Sequence, residues 1–429
     1  LSSPRGLVNC LAIHLRLFGT SGGDHVRASG RTGVALASAL AILGSGSPGR
    51  ASDDATKESH NLRIFDAAWK AVDRNYYDRE VRRKEWTAIG ASSRPLAAKA
   101  RDDVDLYMNI LWPTLERLGD SHFSAIPPSA PNALPASAPE TAARPEEARP
   151  QDKGPPARGL GFTYHFARGG IWIVDVAKDS PLDQAGLEPG DAIKEMEIGP
   201  PTAGGARFEG VFKRAGGQVV KVAYRWLPEA EPATASRRLS SGRQLLRFDT
   251  FDLATADWVI DQLRSAPPEG VLLDLRRNSG GRSLAERRLL GALLGPNLAT
   301  GISVSGRRRT ERSIGAKVYG GPVAVLVGPN SASAAEASAA ALRHYGRAII
   351  IGQRTAGHLL VSREFALPGG GAIQIPVADY FTLSGERLEG RGLVPDREVR
   401  QTLAAIRSDR DLVTEAAEAA LDEKHLAVR

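Results

Sequence analysis

Cysteine is all but missing from the chain: Cys10 is the one thiol in 429 residues, so no intramolecular disulfide can form. Cysteine–histidine spacings of a zinc site are absent too, and no glycine run has the form of a phosphate-binding loop. Neither a metal nor another cofactor is therefore expected. Aromatic residues make up only 6% and do not interleave with the basic ones. The net charge of +7 thus does not read as a nucleic-acid surface, since it is mostly arginine scattered among acids. No apolar run approaches the roughly twenty residues that span a bilayer. What is present, 42% hydrophobic and 24% charged residues over this length, suits a soluble protein with two to three cores.

Near the start, Arg27 and Arg31 precede the apolar run Val34–Leu43, and small residues follow from Gly44 to Ala51. A basic flank, a short apolar core and a small-residue exit form the pattern of a secretory signal. Export to the periplasm or the medium is the expectation, with a buried helix as the other reading. The chain opens on Leu1, and initiation at Val26 would fit the start of such a signal. Residues 1–55 are then a leader. Its removal would take Cys10 with it and leave a chain with no membrane anchor.

From Asn61 to Leu118 the apolar positions recur at helical spacing. Phe65, Ala68, Trp69, Val72 and Tyr76 form one stripe, and Val104, Tyr107, Met108, Leu111 and Leu115 another. A helical domain over 56–125 follows, ending at Gly119-Asp120-Ser121-His122. Residues 126–157 are rich in proline and alanine without periodicity and read as a linker. A module over 158–228 has a strand at Ile171–Val174, a short helix across Ser180–Leu187, a turn at Gly190-Asp191 and a strand at Val219–Trp226. The remainder, 229–429, alternates strands and helices as an α/β domain does. Strands are expected at Val271–Leu275, Val323–Val327 and Ala348–Gly352, with a pair across Gly369–Gly371. Helices are expected from Leu284, over Ser333–Tyr345 and over Asp411–Leu426.

In the middle module Gly159-Leu160-Gly161-Phe162 precedes a strand, with Ser180-Pro181, Ala185-Gly186-Leu187 and Pro189-Gly190-Asp191 further on. The set resembles a bacterial-type PDZ domain. Glycines there can turn N–H groups inward to hold a terminal carboxylate, and an open strand edge can accept a peptide as an added strand. Phe162, Tyr164 and Phe166 alternate, and either line that groove or fill the core.

Three segments of the last unit carry chemistry. Asp274–Gly281 ends a buried strand on a glycine turn, and Asn330–Glu336 is a strand-to-helix junction where a serine meets exposed amides. The third is Tyr380–Asp396, containing Glu389-Gly390-Arg391-Gly392-Leu393-Val394-Pro395-Asp396. With Asp120-Ser121-His122 they are similar to the C-terminal-processing (tail-specific) and tricorn-core serine peptidases, over roughly Phe65–Val399. The resemblance implies a ClpP/crotonase-like α/β catalytic domain joined to the PDZ module and the helical segment. By motif position Ser333 is the nucleophile rather than Ser331, which reads as a helix cap. The resemblance gives the oxyanion hole to Ala334 and to Gly280 or Gly281. Ser279 stands where the motif has another glycine, which leaves open which of these amides serves.

Tail-specific members place a lysine base after the Thr-x-Gly turn. Here Thr355-Ala356-Gly357 is followed by His358. The tricorn-type branch uses a Ser-His pair and a late glutamate instead, and Ser121, His122 and Glu389 match it. A neutral imidazole suits a serine hydroxyl at ordinary pH without tuning. His122 is therefore the expected base, oriented by Glu389 through Ser121, with His358 as the alternative base. Asp274 and Asn278 read as structural, and His344 and Arg347 as packing or surface residues.

The implied activity is a serine endopeptidase acting through an acyl-enzyme on unfolded or apolar-tailed proteins and peptides, with a homo-oligomer as one arrangement. A catalytically silent PDZ-containing scaffold of the same fold is the alternative, since fold alone does not guarantee activity.

Overall fold

The computed structural model describes residues 48–128, 157–158, 161–167, 170–176, 179–198, 206–227, 234–402, 404–405 and 408–426. The apolar run of the expected leader, most of the expected linker, and Gly159 and Leu160 lie outside them.

Helix α1 runs Pro48–Asn75, so helical structure begins well upstream of Asn61. Its inward face is Ile64, Phe65, Ala68 and Val72, continued by Tyr76 just past the helix end, none more than 3% exposed. Asp78 accepts the amides of Glu80 and Val81 and starts the next helical run, α2 (Arg79–Val81), a π-helical turn (Arg82–Trp86) and α3 (Thr87–Ala98). Asp102 caps a second run, α4 (Asp103–Asp105), a π-helical stretch (Leu106–Leu111) and α5 (Trp112–Glu116). That stretch alters the expected stripe. Tyr107, Leu111 and Leu115 are buried as the periodicity requires, but Leu106 is buried as well and Val104 is 60% exposed. A π turn takes more residues per revolution than an α turn, so the apolar face rotates across it.

After His122 the chain enters β1 (Ser124–Ile126), which pairs with a strand some 250 residues later, β16 (Ala372–Phe381). The first residue of the expected linker, Ile126, therefore belongs to a sheet.

The middle unit is a six-stranded sheet in the order β2-β7-β6-β5-β4-β3. Its strands are β2 (Ala157–Arg158), β3 (Phe162–Ala167), β4 (Gly170–Val176), β5 (Ala192–Ile198), β6 (Ala206–Lys213) and β7 (Val219–Leu227). Ser180 caps the short α6 (Pro181–Gln184), where Pro181 fits because the first helical position needs no N–H donor. Phe162, Ile173, Leu182, Leu187, Phe208 and Phe212 fill the core. Phe162 is thereby a core residue, and Tyr164 packs against the same cluster.

The last unit has two sheets. One follows the order β17-β14-β13-β10-β9-β8. Here β8 is Thr234–Arg238, β9 Gln244–Phe248, β10 Val271–Asp274, β13 Val323–Val327, β14 Ile349–Gly352 and β17 Arg397–Glu398. From β9 to β17 the strands are parallel, and β8 runs antiparallel to β9. Strands β10 and β13 are buried along their whole length, as continuous apolar runs covered on both faces should be. Helices α7 (Leu253–Arg264), α8 (Ser283–Leu294) and α9 (Ala334–His344) contribute to the core on one side. Helix α10 (Leu412–Leu426) covers the other through Val413, Ala417, Ala420 and Leu421. The second sheet joins β1, β16 (Ala372–Phe381), β11 (Ala299–Ser305) and β12 (Arg307–Arg312), with β15 (Leu360–Ala366) also on β16. Through β1, residues at the end of the helical segment are carried to the last unit. No helix among the described residues is long and apolar enough to cross a membrane.

Candidate active site

Strand β13 ends at Gly328-Pro329-Asn330 and the chain turns sharply into α9. Ser331 holds that turn: it donates its hydroxyl to the Leu275 carbonyl at 2.7 Å and accepts the Gly328 amide at 3.0 Å. It is thus a tie between loops rather than the helix cap that its position suggested. The N-cap is Ser333, whose backbone sits at φ +53°, ψ −117°, a conformation that side-chain-bearing residues rarely adopt. The strain presents Ser333 at the head of a helix, partly exposed between buried neighbours. Its own N–H is engaged, pointing at the His358 carbonyl (2.7 Å) and at the Glu336 carboxylate (3.1 Å).

The turn after β10 lies against this elbow. Gly280 has φ +100°, and a Cβ there would stand 2.6 Å from Ser333 Cβ and 2.9 Å from the Ala332 carbonyl. Asn278 is buried and structural, as expected. Its side chain donates to the Phe248 carbonyl and accepts the Gly280 amide, each at 2.9 Å, and its own carbonyl accepts Ala332 N–H at 3.0 Å. The Gly280 N–H is therefore occupied. The Gly281 and Ala334 amides, like that of Ser279, meet no protein acceptor among the described residues. Asp274 also behaves as read: it accepts the Arg276 amide at 3.1 Å and pairs with the Arg276 guanidinium, which reaches Asp411 as well. His344 is exposed, and Arg347 donates to the carbonyls of Leu293 and Tyr319.

Ser121 and His122 reach the site from the helical segment. Ser121 donates its amide to Glu389 Oε1 at 2.8 Å and its hydroxyl to Glu389 Oε2 at 2.9 Å, while its Oγ lies 2.7 Å from His122 Nδ1. Because the hydroxyl proton goes to the carboxylate, Nδ1 must be the donor to Oγ. His122 Nε2 is then left with a free lone pair. His122 itself has φ +65°, a second non-glycine residue in the left-handed region. Burial, aided by the neighbouring His358 and opposed by Asp120, pushes its pKa down to about 4. The Asp120 carboxyl is pushed up by burial, although the hydroxyls of Tyr76 and Tyr77 act against this. Tyr76 donates to Asp120 at 2.7 Å, and Arg387 lies 3.7 Å from the same carboxylate, which moors the 120–122 turn.

His358 is exposed beside this group, close enough to His122 for their charges to interact. No hydrogen bond joins Ser333 Oγ to either imidazole among the described residues. Catalytic contacts of this kind are commonly long without substrate.

Sequence reasoning passed over Glu336. It is fully buried, and its Oε1 accepts Thr355 Oγ1 and Gly357 N–H (2.9 Å) while Oε2 accepts His358 N–H (2.9 Å) and Ser333 N–H (3.1 Å). Burial raises its pKa and these four donors pull it back. Thr355 Oγ1 already accepts Leu393 N–H at 2.6 Å, so its own proton faces Glu336. An ionised carboxylate satisfies all four donors, whereas a protonated one does not. The signal was there: an acid three residues after a serine N-cap is the spacing of a capping box.

Ser333, Ala334, Gly280, Gly281, His358, Glu389, Ser121 and His122 thus converge through a connected set of contacts. Gly161 (φ +72°) and Phe162 belong to the middle unit, with Phe162 in its core. Among the described residues no three His, Cys, Asp or Glu side chains converge as a metal site would require.

Residues 245–399 match the model of Peptidase family S41. The carboxyl-terminal-processing protease of Synechocystis sp. is 29% identical over 287 residues, 60% of this chain and 66% of that protein. Its counterpart from Picosynechococcus sp. is 31% identical over 179 residues, 40% of this chain and 43% of the relative. The carboxy-terminal processing protease CtpA of Bacillus subtilis is 26% identical over 257 residues, 55% of each. The chain spans two-thirds or less of the length of these curated relatives. Among solved structures, mature CPAF superimposes with a TM-score of 0.56 at 13% identity, covering 85% of this chain and 97% of that one. The photosystem II D1 C-terminal processing protease gives 0.50 at 20% identity, with 79% and 93% covered. The tricorn protease gives 0.52 at 17% identity, with 86% of this chain and 37% of its own covered. At such identities the likeness shows a shared mixed α/β fold.

Proposed function

We propose, for a chain that carries a Peptidase family S41 domain across residues 245–399, that it is a serine endopeptidase of the C-terminal-processing type. The observation that carries this reading is the hydrogen-bonded line Glu389–Ser121–His122, which leaves His122 Nε2 unprotonated. In the reaction, Ser333 Oγ attacks the scissile carbonyl carbon and its proton passes to His122 Nε2. Gly281 and Ala334 N–H groups receive the oxyanion. Collapse breaks the C–N bond, and the same proton goes to the leaving amine. A water then repeats the sequence on the ester, returning its proton through His122 and freeing Ser333. Glu389 does not take the proton. It holds Ser121 and, through it, the imidazole tautomer, and offsets the positive charge that His122 gains.

The substrates are unfolded or apolar-tailed polypeptides. The catalytic unit, from residue 229 onward, is of the ClpP/crotonase-like kind. The middle unit over 158–228 acts as a PDZ-like module, with β3 at the edge of its sheet offering backbone groups to a peptide. A cleft of about 820 Å³ has Tyr164 on β3, Arg277 and Asn330 in its wall, which is otherwise lined mostly by charged side chains. Export to the periplasm or the medium and removal of the leader 1–55 complete the reading, and the protein works alone or as a homo-oligomer.

Turnover of an unfolded protein and of an apolar-tailed peptide tests it. Activity should vanish in Ser333→Ala and His122→Ala and persist in His358→Ala. Loss in His358→Ala with His122→Ala still active would move the base to His358. Peptide binding without turnover in the parent would favour a silent scaffold.

A further inference from the structure

Three consecutive backbone amides of one loop are held by two carboxylates. Gly357 and His358 N–H groups point to Glu336, each at 2.9 Å, and Leu359 N–H points to Glu389 Oε2 at 2.7 Å. The two glutamates belong to opposite sides of the site. Glu336 sits in the first turn of α9, and one of its oxygens also accepts the amide of Ser333. Glu389 grips Ser121 by both hydroxyl and amide. The loop itself is tied to the nucleophile a second time, because its His358 carbonyl accepts Ser333 N–H at 2.7 Å. An unbroken path thus runs from Ser333 through Glu336, residues 357–359 and Glu389 to Ser121 and His122.

We infer that Glu336 is a positioning residue: with Glu389 it clamps the 357–359 amides and so sets the separation between the Ser333 hydroxyl and the His122 imidazole. The physical need is plain. Ser333 and His122 come from distant parts of the chain, and a misplacement of about 1 Å between reacting groups can cost on the order of 10²-fold in rate. No direct hydrogen bond fixes their distance. Glu336 contributes through geometry rather than by touching substrate, since it is fully buried and all four of its contacts are donors from the protein. An amide in its place would turn an N–H₂ toward N–H groups and release part of the loop.

This inference rests on the peptidase reading, and its test separates the two. Glu336→Gln, Glu389→Gln and the double variant are compared in the full chain for kcat and KM on an unfolded protein. Hydrogen–deuterium exchange is followed at residues 357–359 and at Ser121. In Glu336→Gln, kcat should fall by about 10²-fold, the scale of a misplaced reacting group, with KM little changed. The double variant should lose little more than the worse single one, because both act on the same loop. Exchange should quicken at 357–359 and also at Ser121, which makes no contact with Glu336. Multiplicative losses, or faster exchange confined to α9, would overturn the clamp. If the parent shows no turnover, the peptidase reading fails, and unchanged exchange at Ser121 in Glu336→Gln would then overturn the clamp by itself. Should Glu336→Gln not fold, Thr355→Val removes one of the four donors and is held to the same exchange pattern. An unaltered pattern there counts against the clamp.

Discussion

At position 280 any side chain would collide with Ser333. The added Cβ of Gly280→Ala would lie 2.6 Å from Ser333 Cβ, and the backbone at φ +100° would be strained as well. Either Ser333 moves or the turn does, so kcat should drop by at least about 10²-fold, as a shift approaching 1 Å would demand. Steady-state kinetics with a melting curve check this, and an alanine variant with parental kcat would mean that the turn and the elbow are not in contact. Much of the site was legible at this scale. Ser333, His122, Ser121 and Glu389 are legible by motif, because the proposed chemistry calls for those side chains. Which glycine amide is free was not legible, because it depends on Asn278 taking the Gly280 N–H, a contact made in space. Glu336 was hidden by an ordinary appearance, that of an acid in the first turn of a helix.

At the scale of elements, strands β10, β13 and β14 and helices α8, α9 and α10 stood out because continuous apolar runs and helical stripes follow from burial, whereas the parallel strands β9 and β17 and helix α7 were not read. The strands β8 and β12 did not stand out either, since Thr234–Arg238 and Arg307–Arg312 are exposed at nearly every position and are held by edge pairing alone. Nor did β1, in which only Ala125 is buried. Helix α8 carries a feature with a measurable consequence. Glu286 is 4% exposed, its Oε1 meets no hydrogen-bond partner, and burial, with Glu311 adding to it, pushes its carboxyl up to about 8. The folded protein therefore keeps a proton that the unfolded chain releases above about pH 4.5. Stability from this group is present at low pH and falls as pH rises toward 8, at up to about 1.4 kcal/mol per pH unit. Glu286→Gln should remove that slope and melt higher than the parent at pH 8, with little difference at pH 5. Parallel melting curves for both proteins across that range would show that Glu286 ionises freely in the fold.

The proposed site joins distant parts of the chain, because His122, its proposed base, comes from the end of the helical segment and Ser333, its proposed nucleophile, from the last unit. Strand β1, pairing Ser124–Ile126 with Ala372–Gln374, secures the arrival of His122 two residues earlier in the chain. The meeting of His122 with His358 follows from the same assembly and governs how activity should depend on pH. With its pKa near 4, His122 stays unprotonated well below neutrality, so kcat/KM should hold from pH 7 to about 5 and fall through about 4. A charge on His358 helps to keep the proton off, so His358→Gln should move the acid limb to higher pH while leaving turnover at pH 7. Stability runs the same way. Below about 6.5 the unfolded chain takes up a proton that folded His122 refuses until about 4, so each unit of acidification in that window costs up to about 1.4 kcal/mol. Unfolding must therefore be followed alongside the rate, so that a falling rate in a folded enzyme can be assigned to the imidazole. An acid limb that stays near 4 in His358→Gln would show that burial alone sets the base. Complete loss of turnover at pH 7 in that variant would instead make His358 the group that takes the Ser333 proton.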